Sequence, residues 1–217
     1  MIEQYKTIYV NGTGEIVEKK SRFIANIIHA ESEEEALQFI EGCKKKYWNA
    51  THNCWAYIIG KKGECMRCSD DGEPSQTAGK PMLDVLNGQG IREVAAVVTR
   101  YFGGTLLGTG GLVRAYAGAV KEGLNQSVVV EKKLADILLI ETDYTGIGKI
   151  QYILAQAKLN PMDTEYTDKV TITVPIPIGK TKSIERFITE GTNGRAIMEI
   201  IDQLYYGIVD GEVILFK

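Results

Sequence analysis

One stretch of the sequence, residues 94–124, constrains the fold more than any other part of the chain. It begins with an apolar run at 94–98, which predicts a buried strand. Five glycines then lie within the nine residues 103–111, and apolar residues recur at helical spacing over 112–124. A strand, a glycine-rich loop and a helix in this order direct backbone N–H groups and the positive end of a helix dipole towards one place. The stretch therefore predicts a contact with an anionic ligand or surface.

Two arginines, Arg100 and Arg114, bracket this glycine-rich loop. The loop does not match the phosphate-binding loop of nucleotide-hydrolysing proteins, because Thr109 and Gly110 occupy the places of the required Lys and Ser/Thr. A dinucleotide-binding fingerprint would need Gly or Ala where Val113 stands. Three interpretations stay open: contact with an anion or RNA, glycines that only allow a tight turn and close helix packing, and nucleotide chemistry.

Composition and charge exclude several classes of protein. The 217 residues carry a net charge of −3, and residues 1–131 hold 15 basic against 16 acidic side chains. Any nucleic-acid contact must therefore use a local patch. No apolar run approaches the ~20 residues that span a bilayer, and the N-terminal sequence lacks the apolar segment of a signal peptide. With four cysteines and no such signal, we expect reduced thiols and a cytoplasmic location.

The residues before this stretch predict a mixture of strands and helices. Residues 11–14 predict the turn of a hairpin within residues 5–17. Ser32 and Glu35 form a capping box that opens a helix. The remaining predicted elements are strands at 21–28, 53–59 and 65–69 and a short helix at 81–86.

The pattern changes near residue 132, and we place a domain boundary there. A last strand of the first part is predicted at 128–131. The elements predicted after it are, in order, a strand, a helix, two strands, a helix and a strand, at 134–141, 146–159, 162–166, 170–177, 181–189 and 196–204. This β-α-β-β-α-β order is the split-βαβ, ferredoxin-like layout. The predicted fold class is therefore α+β, with domains at 1–131 and 132–217.

A polar loop, residues 70–81, holds three carboxylates within four positions, and His52 is expected near it on the neighbouring strand. The carboxylates are those of Asp70, Asp71 and Glu73. They fit two interpretations: they can bind a hard cation such as Mg²⁺ and bridge it to phosphates, or they can hydrogen-bond turn amides and pair with Arg100 or Lys80. No nucleophile and base can be named from spacing.

Cysteines and aromatic residues carry further alternatives. The C-x-x-C spacing at 65–68 matches zinc-binding proteins only loosely, because side chains three positions apart on a strand face opposite sides. Buried cysteines that act as small apolar side chains are the competing interpretation. Trp48 and Trp55 are predicted to lie in the core, whereas Tyr101 and Phe102 are the candidates for stacking on bases.

Several short blocks carry a more specific pattern. They are 21–25 (SRFIA), 50–57 (ATHNCWAY), 70–74 (DDGEP), 77–81 (TAGKP), 99–104 (TRYFGG) and 107–116 (LGTGGLVRAY). In this order, over about residues 20–126, they resemble the IMPACT family. One position departs from the family pattern: Gln76 stands where the family usually has glycine, and we expect the loop to bend differently there.

The resemblance implies an N-terminal domain like the second domain of ribosomal protein S5 and a C-terminal domain like the last domain of elongation factor G. In that factor a similar pair of domains reaches into the ribosome. Eukaryotic members of the family restrain the starvation-activated initiation-factor kinase by competing for its activator protein. The resemblance thus implies a cytoplasmic binding protein in translation or its stress regulation.

Two other hypotheses stay open: a metal-dependent enzyme acting on a phosphorylated or nucleotide ligand at the glycine loop, and a protein–protein adaptor in which that loop is only structural. No catalytic residue, metal or cofactor is predicted. We expect RNA, the ribosome or a protein as partner, with no membrane and no DNA specificity. The contact should use the loops 70–81 and 99–116, lying together on one face. The candidate binding residues are His52, Asp70, Asp71, Glu73, Lys80, Arg100, Tyr101, Gly103, Gly104, Gly110, Gly111 and Arg114.

Overall fold

A computed structural model describes residues 2–216 and divides the chain into two compact units. The first unit comprises residues 5–130, and the second comprises 131–216 together with residues 2–4. The grouping of residues 2–4 differs from the predicted boundary. It follows from backbone contacts, because the Glu3 carbonyl oxygen accepts a hydrogen bond from the Leu134 N–H at 2.8 Å. None of the helices described is both long and apolar enough to cross a membrane.

The first unit is built on a five-stranded antiparallel sheet with helices on both faces. Its elements are β1 (Gln4–Val10, which starts in the second unit), β2 (Gly12–Glu18), β3 (Ser21–His29), α1 (Glu33–Lys46), β4 (His52–Ile59), β5 (Cys65–Ser69), α2 (Gly79–Gly88), β6 (Val94–Tyr101) and α3 (Thr109–Asn125). The strand order is β2-β3-β6-β4-β5. Helices α2 and α3 cover one face and α1 covers the other. Strand β6 lies at the centre, which explains its continuous apolar sequence.

The predicted hairpin turn at residues 11–14 is wrong, because β2 pairs with β3 rather than with β1. Lys19 and Lys20 form the actual turn, with backbone φ angles of 45° and 68°. Gly12 and Gly14 lie within β2 instead. A Cβ atom on Gly12 would come within 2.4 Å of the Gly123 carbonyl oxygen in α3. These glycines therefore allow α3 to pack closely on β2.

The strand, loop and helix predicted over residues 94–124 are confirmed as β6, the loop after it and α3. The apolar residues at helical spacing are all buried: Leu112, Tyr116, Ala119, Val120 and Leu124. The predicted Ser32 cap of α1 is also present, since the Glu35 N–H donates to the Ser32 Oγ at 3.2 Å, while the Glu35 side chain accepts from the Glu31 N–H rather than from that of Ser32.

The second unit has an antiparallel sheet with strand order β11-β10-β7-β9-β8. Its elements are β7 (Val128–Thr142), α4 (Ile147–Gln156), β8 (Asp163–Tyr166), β9 (Val170–Pro177), α5 (Thr181–Thr192), β10 (Ile197–Val209) and β11 (Glu212–Phe216). Helices α4 and α5 cover one face, where Ile150, Leu154 and Ile184 join the core formed with strands β7 and β9.

Two features of this unit differ from the prediction. Strand β7 is continuous, whereas two strands were expected at 128–131 and 134–141. The second difference is β11, which the sequence did not predict and which returns along β10 through a turn at Asp210 and Gly211 with φ angles of 52° and 86°. The molecule is thus a mixed α/β protein of two units, each with an antiparallel sheet.

Candidate functional site

A buried ion pair joins the polar loop 70–81 to the end of β6. Arg100 Nη1 donates to Glu73 Oε1 at 2.6 Å, and both side chains are almost fully buried. The guanidinium also lies 5.4 Å from the ring centroid of Phe23 and 5.5 Å from that of Phe102. Arg100, one of the candidate binding residues, is therefore buried, and Glu73 neutralises its charge inside the protein. The two candidate loops meet through this pair.

Tyr116 and Cys54, predicted as core residues, complete a buried polar cluster with Glu73 and Arg100. The Tyr116 hydroxyl donates to Glu73 Oε1 at 2.8 Å. Cys54 Sγ lies 2.9 Å from the Asp70 carbonyl oxygen and 3.3 Å from the Tyr116 hydroxyl. Burial raises the pKa of both Cys54 and Tyr116, so both stay protonated at neutral pH. They act there as hydrogen-bonding groups.

Asp70 fixes the polar loop to the first turn of α2. Its Oδ1 accepts hydrogen bonds from the backbone N–H groups of Ala78 at 3.0 Å and Gly79 at 2.9 Å. The N-cap residue of α2 is Ala78, which has no capping side chain, so Asp70 supplies the missing acceptor. Asp71 Oδ2 accepts from the Asn53 N–H at 2.7 Å. Both aspartates therefore bind backbone amides, as the structural interpretation expects, although the amide that Asp71 binds belongs to β4.

Gln76, the departure from the family pattern, has the backbone conformation that glycine favours. Its φ angle is 63°, in the left-handed region. Its N–H donates to Asp70 Oδ2 at 2.8 Å, and this bond contributes to holding the conformation. Position 76 therefore keeps a glycine-type bend although a side chain is present.

His52 and Lys80 differ in exposure: the His52 side chain is 20% exposed and the Lys80 side chain is 54% exposed. His52 Nδ1 lies 2.8 Å from the Asp71 carbonyl oxygen, and Nε2 lies 3.9 Å from Glu73 Oε2, so this residue contacts the loop from β4. Lys80 is exposed and pairs with Asp84 one helical turn away, rather than with a loop carboxylate. Of the two, only Lys80 presents a charge to solvent.

The glycine-rich loop begins packed and ends exposed. A Cβ atom on Gly103 would come within 2.1 Å of the Lys20 carbonyl carbon, and the Gly103 N–H donates to Ser21 Oγ at 3.1 Å. A Cβ atom on Gly104 or Gly110 would meet nothing within 4 Å. Only the second part of the loop is therefore open to a partner.

Helix α3 begins in this open part without a side-chain cap. Its N-cap residue is Gly108, which has no side chain to accept a hydrogen bond from the first N–H groups. Arg114 is exposed one turn along, with its Nε donating to the Gly110 carbonyl oxygen at 3.2 Å. Gly111 is half-buried against Leu107. The uncapped N–H groups and the arginine together keep the character of an anion-binding helix end.

Aromatic side chains lie at the surface where β6 ends. The Tyr101 hydroxyl donates to Asn49 Oδ1 at 3.0 Å, and Phe102 is exposed. The prediction of Trp48 as a core residue is wrong: its side chain is 81% exposed, because it lies in the turn after α1 rather than on the buried helix face. Trp55 is half-buried and stacks on Tyr57 with ring centroids 5.5 Å apart.

The three carboxylates of the polar loop do not converge on a common point. Among residues 2–216, one group brings three possible metal-ligating atoms within 4.8 Å of one another, and it consists of His29, Glu31 and Glu93. The loop carboxylates instead bind separate protein groups: turn amides for Asp70, the Asn53 amide for Asp71, and Arg100 for Glu73. This geometry supports a structural loop better than a Mg²⁺ site.

The chain combines two mixed α/β units, a glycine loop whose second part is open, and a buried ion pair at the end of β6. Residues 19–124 match the Impact N-terminal domain, and residues 140–195 match a domain of unknown function, DUF1949. The chain is 44% identical over 196 residues to the IMPACT family member YvyE of Bacillus subtilis, which covers 90% of each protein. It is 35% identical over 187 residues to the IMPACT family member YigZ of Escherichia coli, which covers 85% of this chain and 92% of that protein. The chain belongs to the IMPACT family.

Two further similarities extend this result. A protein of Dictyostelium discoideum named Protein IMPACT homolog is 40% identical over 106 residues, which are 47% of this chain and 30% of that protein. A crystal structure described as that of a hypothetical protein is 33% identical, with a TM-score of 0.59, and the match covers 93% of this chain and 99% of the other. The similarity to the eukaryotic protein therefore involves only part of each chain.

Proposed function

We propose that this protein is a cytoplasmic binding protein in translation or its stress regulation. Its contact with RNA, the ribosome or a protein partner uses the open part of the glycine-rich loop. Membership of the IMPACT family supports the role, because the eukaryotic members that the sequence resembles regulate initiation under starvation. The observation that carries the site is the uncapped N-terminus of α3, which lies exposed beside Arg114.

The physical case for this site is electrostatic. The first N–H groups of a helix and its dipole together favour a negative group at the N-terminus. Arg114 adds a full positive charge, whereas the exposed Lys80 on α2 pairs with Asp84. The buried polar cluster holds the neighbouring polar loop rigid, so that the exposed groups are supported by an ordered layer.

We also propose the finer assignment of the two domains. Residues 1–131 would form a domain like the second domain of ribosomal protein S5, and 132–217 a ferredoxin-like domain like the last domain of elongation factor G. In support, the order β10-β7-β9-β8 with two helices on one face is the arrangement of a split βαβ unit. Strand β11 is an addition at the edge of that arrangement.

A metal-dependent enzyme is the less favoured candidate, because the carboxylates it would need are already bound to protein groups. The thiol and hydroxyl beneath the loop are held protonated, since burial raises their pKa values, and both form hydrogen bonds within the protein. A protein adaptor uses the same exposed loop, and the experiment below separates it from contact with RNA.

The test compares the wild type with Arg114→Ala in ribosome co-sedimentation. The matched control is Arg186→Ala, which removes an exposed arginine from α5 in the second unit. We expect Arg114→Ala to reduce the ribosome-bound fraction at least threefold and Arg186→Ala to leave it unchanged. Equal sedimentation of all three proteins, or none with any of them, would overturn the RNA and ribosome form of the proposal. A protein captured after nuclease treatment, and lost in Arg114→Ala, would instead support the adaptor.

A further inference from the structure

Three segments of the first unit meet where β6 ends. The turn between β2 and β3 lies against Gly103, because a Cβ atom there would come within 2.1 Å of the Lys20 carbonyl carbon. The loop between α1 and β4 also lies here, since the Phe102 N–H donates to Thr51 Oγ1 at 3.3 Å. We call this region the aromatic rim. Its residues are Lys19, Lys20, Arg22, Trp48, Tyr101 and Phe102.

Two large rings of the aromatic rim are exposed. Trp48 is 81% exposed and Phe102 is 47% exposed. Tyr101 is half-buried, with the Arg22 guanidinium 5.7 Å from its ring centroid. An aromatic side chain stabilises a fold through the ~150–250 Å² that it buries, so Trp48 contributes little to this core. Exposed aromatic residues that lie together indicate an interaction site.

Basic side chains surround these rings, although the whole chain has a net charge of −3. The turn positions of Lys19 and Lys20, with φ of 45° and 68°, favour Asn or Gly, so turn chemistry does not account for the two lysines. The last turn of α1 adds three more lysines, two of them exposed. Four acidic residues lie here: Glu15 pairs with Arg22 at 2.8 Å, Glu41 and Asp71 lie 3.9 and 3.7 Å from Lys44, and Glu18 is exposed. The rim therefore has an excess of positive charge.

We propose that single-stranded RNA binds across the aromatic rim, with unpaired bases stacked on Trp48 and Phe102 and phosphates held by the turn lysines. The inference rests on the proposed function, since it names the partner of the surface next to the glycine loop. Stacking requires bases that are released from a duplex, so the rim selects single-stranded over double-stranded RNA. An acidic protein segment would use the lysines but would leave the rings without a matching partner.

The experiment titrates the full chain against a labelled oligouridine about 12 nucleotides long, within the usual site size of such proteins, and against an RNA duplex. Trp48→Ala should weaken oligouridine binding at least fivefold, because a stacked base is lost. Trp48→Phe, which keeps a ring, should stay within about threefold of the wild type. The control Tyr152→Ala, which removes an exposed ring from α4, should have no effect. Because Trp48 is so exposed, its variants should unfold at the wild-type denaturant concentration.

A second pair of variants tests the charges. Replacing both turn lysines (Lys19→Ala with Lys20→Ala) should reduce the slope of log affinity against log salt concentration by about 1.4, as expected for two single-strand phosphate contacts. The matched control replaces Lys61 and Lys62, a second pair of lysines, which lies in the turn between β4 and β5. That control should keep the wild-type slope.

Three results would overturn the inference: duplex binding as tight as oligouridine binding, equal affinity of Trp48→Ala and Tyr152→Ala, or no oligouridine binding by the wild type. An oligoglutamate peptide of the same length provides the protein arm. If it binds as tightly as the RNA and is indifferent to Trp48→Ala, the partner is an acidic protein segment. In each case, ribosome co-sedimentation that still depends on Arg114 leaves the proposed function standing. If co-sedimentation does not depend on Arg114 either, the ribosome form of the proposed function and the inference about the aromatic rim both fail.

Discussion

The polar loop 70–81 and the glycine loop 103–110 are neighbours in the first unit, but they are built in opposite ways. In the polar loop, two of the carboxylates point inwards: Asp70 binds backbone amides and Glu73 binds buried Arg100. In the glycine loop, the groups after Gly103 point outwards, and no side chain caps the helix that follows. A cluster of carboxylates in a sequence can thus serve the structure, whereas a loop with almost no charge can be the open one.

The largest change in the free energy of unfolding should come from removing a buried charged group of the polar loop. Glu73→Ala leaves the Arg100 charge buried without its partner, and we expect the free energy of unfolding to fall by about 3–5 kcal/mol. Arg114→Ala removes an exposed charge and should change it by less than about 0.5 kcal/mol. Equilibrium urea denaturation measures both. A similar small change in the two variants would show that the buried pair does not stabilise the loop.

A second variant, Asp70→Ala, should lower the free energy of unfolding by about 2–3 kcal/mol, because three backbone amides lose a charged acceptor. Asp70→Asn, which keeps one acceptor oxygen, should lose less. Asp70→Ala should also loosen the polar loop where it covers Cys54. Thiol labelling at pH 8 then supplies an independent measurement, with exposed Cys68 as the internal reference.

In the wild type, Cys54 should be labelled more than about tenfold more slowly than Cys68, since burial shields it and raises its pKa. Asp70→Ala should reduce the difference in labelling rate between Cys54 and Cys68, and Asp70→Asn should reduce it less. Equal protection of Cys54 in all three proteins would mean that Asp70 does not hold the loop closed.

Within the glycine loop, the packed and open parts should respond differently to one added methyl group. Gly103→Ala places a Cβ atom against the Lys20 backbone and should lower the free energy of unfolding by about 1–3 kcal/mol. Gly110→Ala meets open space and should be neutral or slightly stabilising. Thermal unfolding of the two variants provides the measurement. Equal destabilisation would mean that the whole loop is packed.

The smallest effect should be that of Gln76→Gly. Glycine relieves the left-handed backbone but adds freedom to the unfolded chain, so the free energy of unfolding should change by less than about 1 kcal/mol. Gln76→Val, a β-branched residue at the same φ, is the contrasting variant and should destabilise the protein. If the valine variant is as stable as the wild type, φ at this position is not fixed by the fold.

Much of the fold follows from local signals. The apolar run of β6 is a strong signal because both faces of this strand are buried. The helical spacing of α3 is a strong signal because one long stripe of this helix is buried. The hairpin was misplaced because Gly12 and Gly14 have turn-forming composition, although their actual role is to admit a helix that lies far along the chain. The lysine turn at Lys19 and Lys20 carries no sequence signal of a turn.

The site was harder to predict because its decisive contacts are non-local. Positions 73 and 100 are far apart in sequence, and only the packed sheet brings Arg100 under the polar loop. Spacing alone therefore could not decide whether that arginine was exposed or buried. The exposure of Trp48 was missed for a similar reason, since the sequence does not reveal whether a side chain in the turn after a helix packs against the core.

The buried pair of Glu73 and Arg100 has an evolutionary consequence. Loss of either partner alone leaves an uncompensated charge in the interior, whereas replacement of both by apolar side chains can be tolerated. Substitutions at positions 73 and 100 should therefore be inherited together across relatives, with single changes purged by selection. Such covariation of the two positions across relatives would show that the contact between the polar loop and the sheet has been kept during evolution.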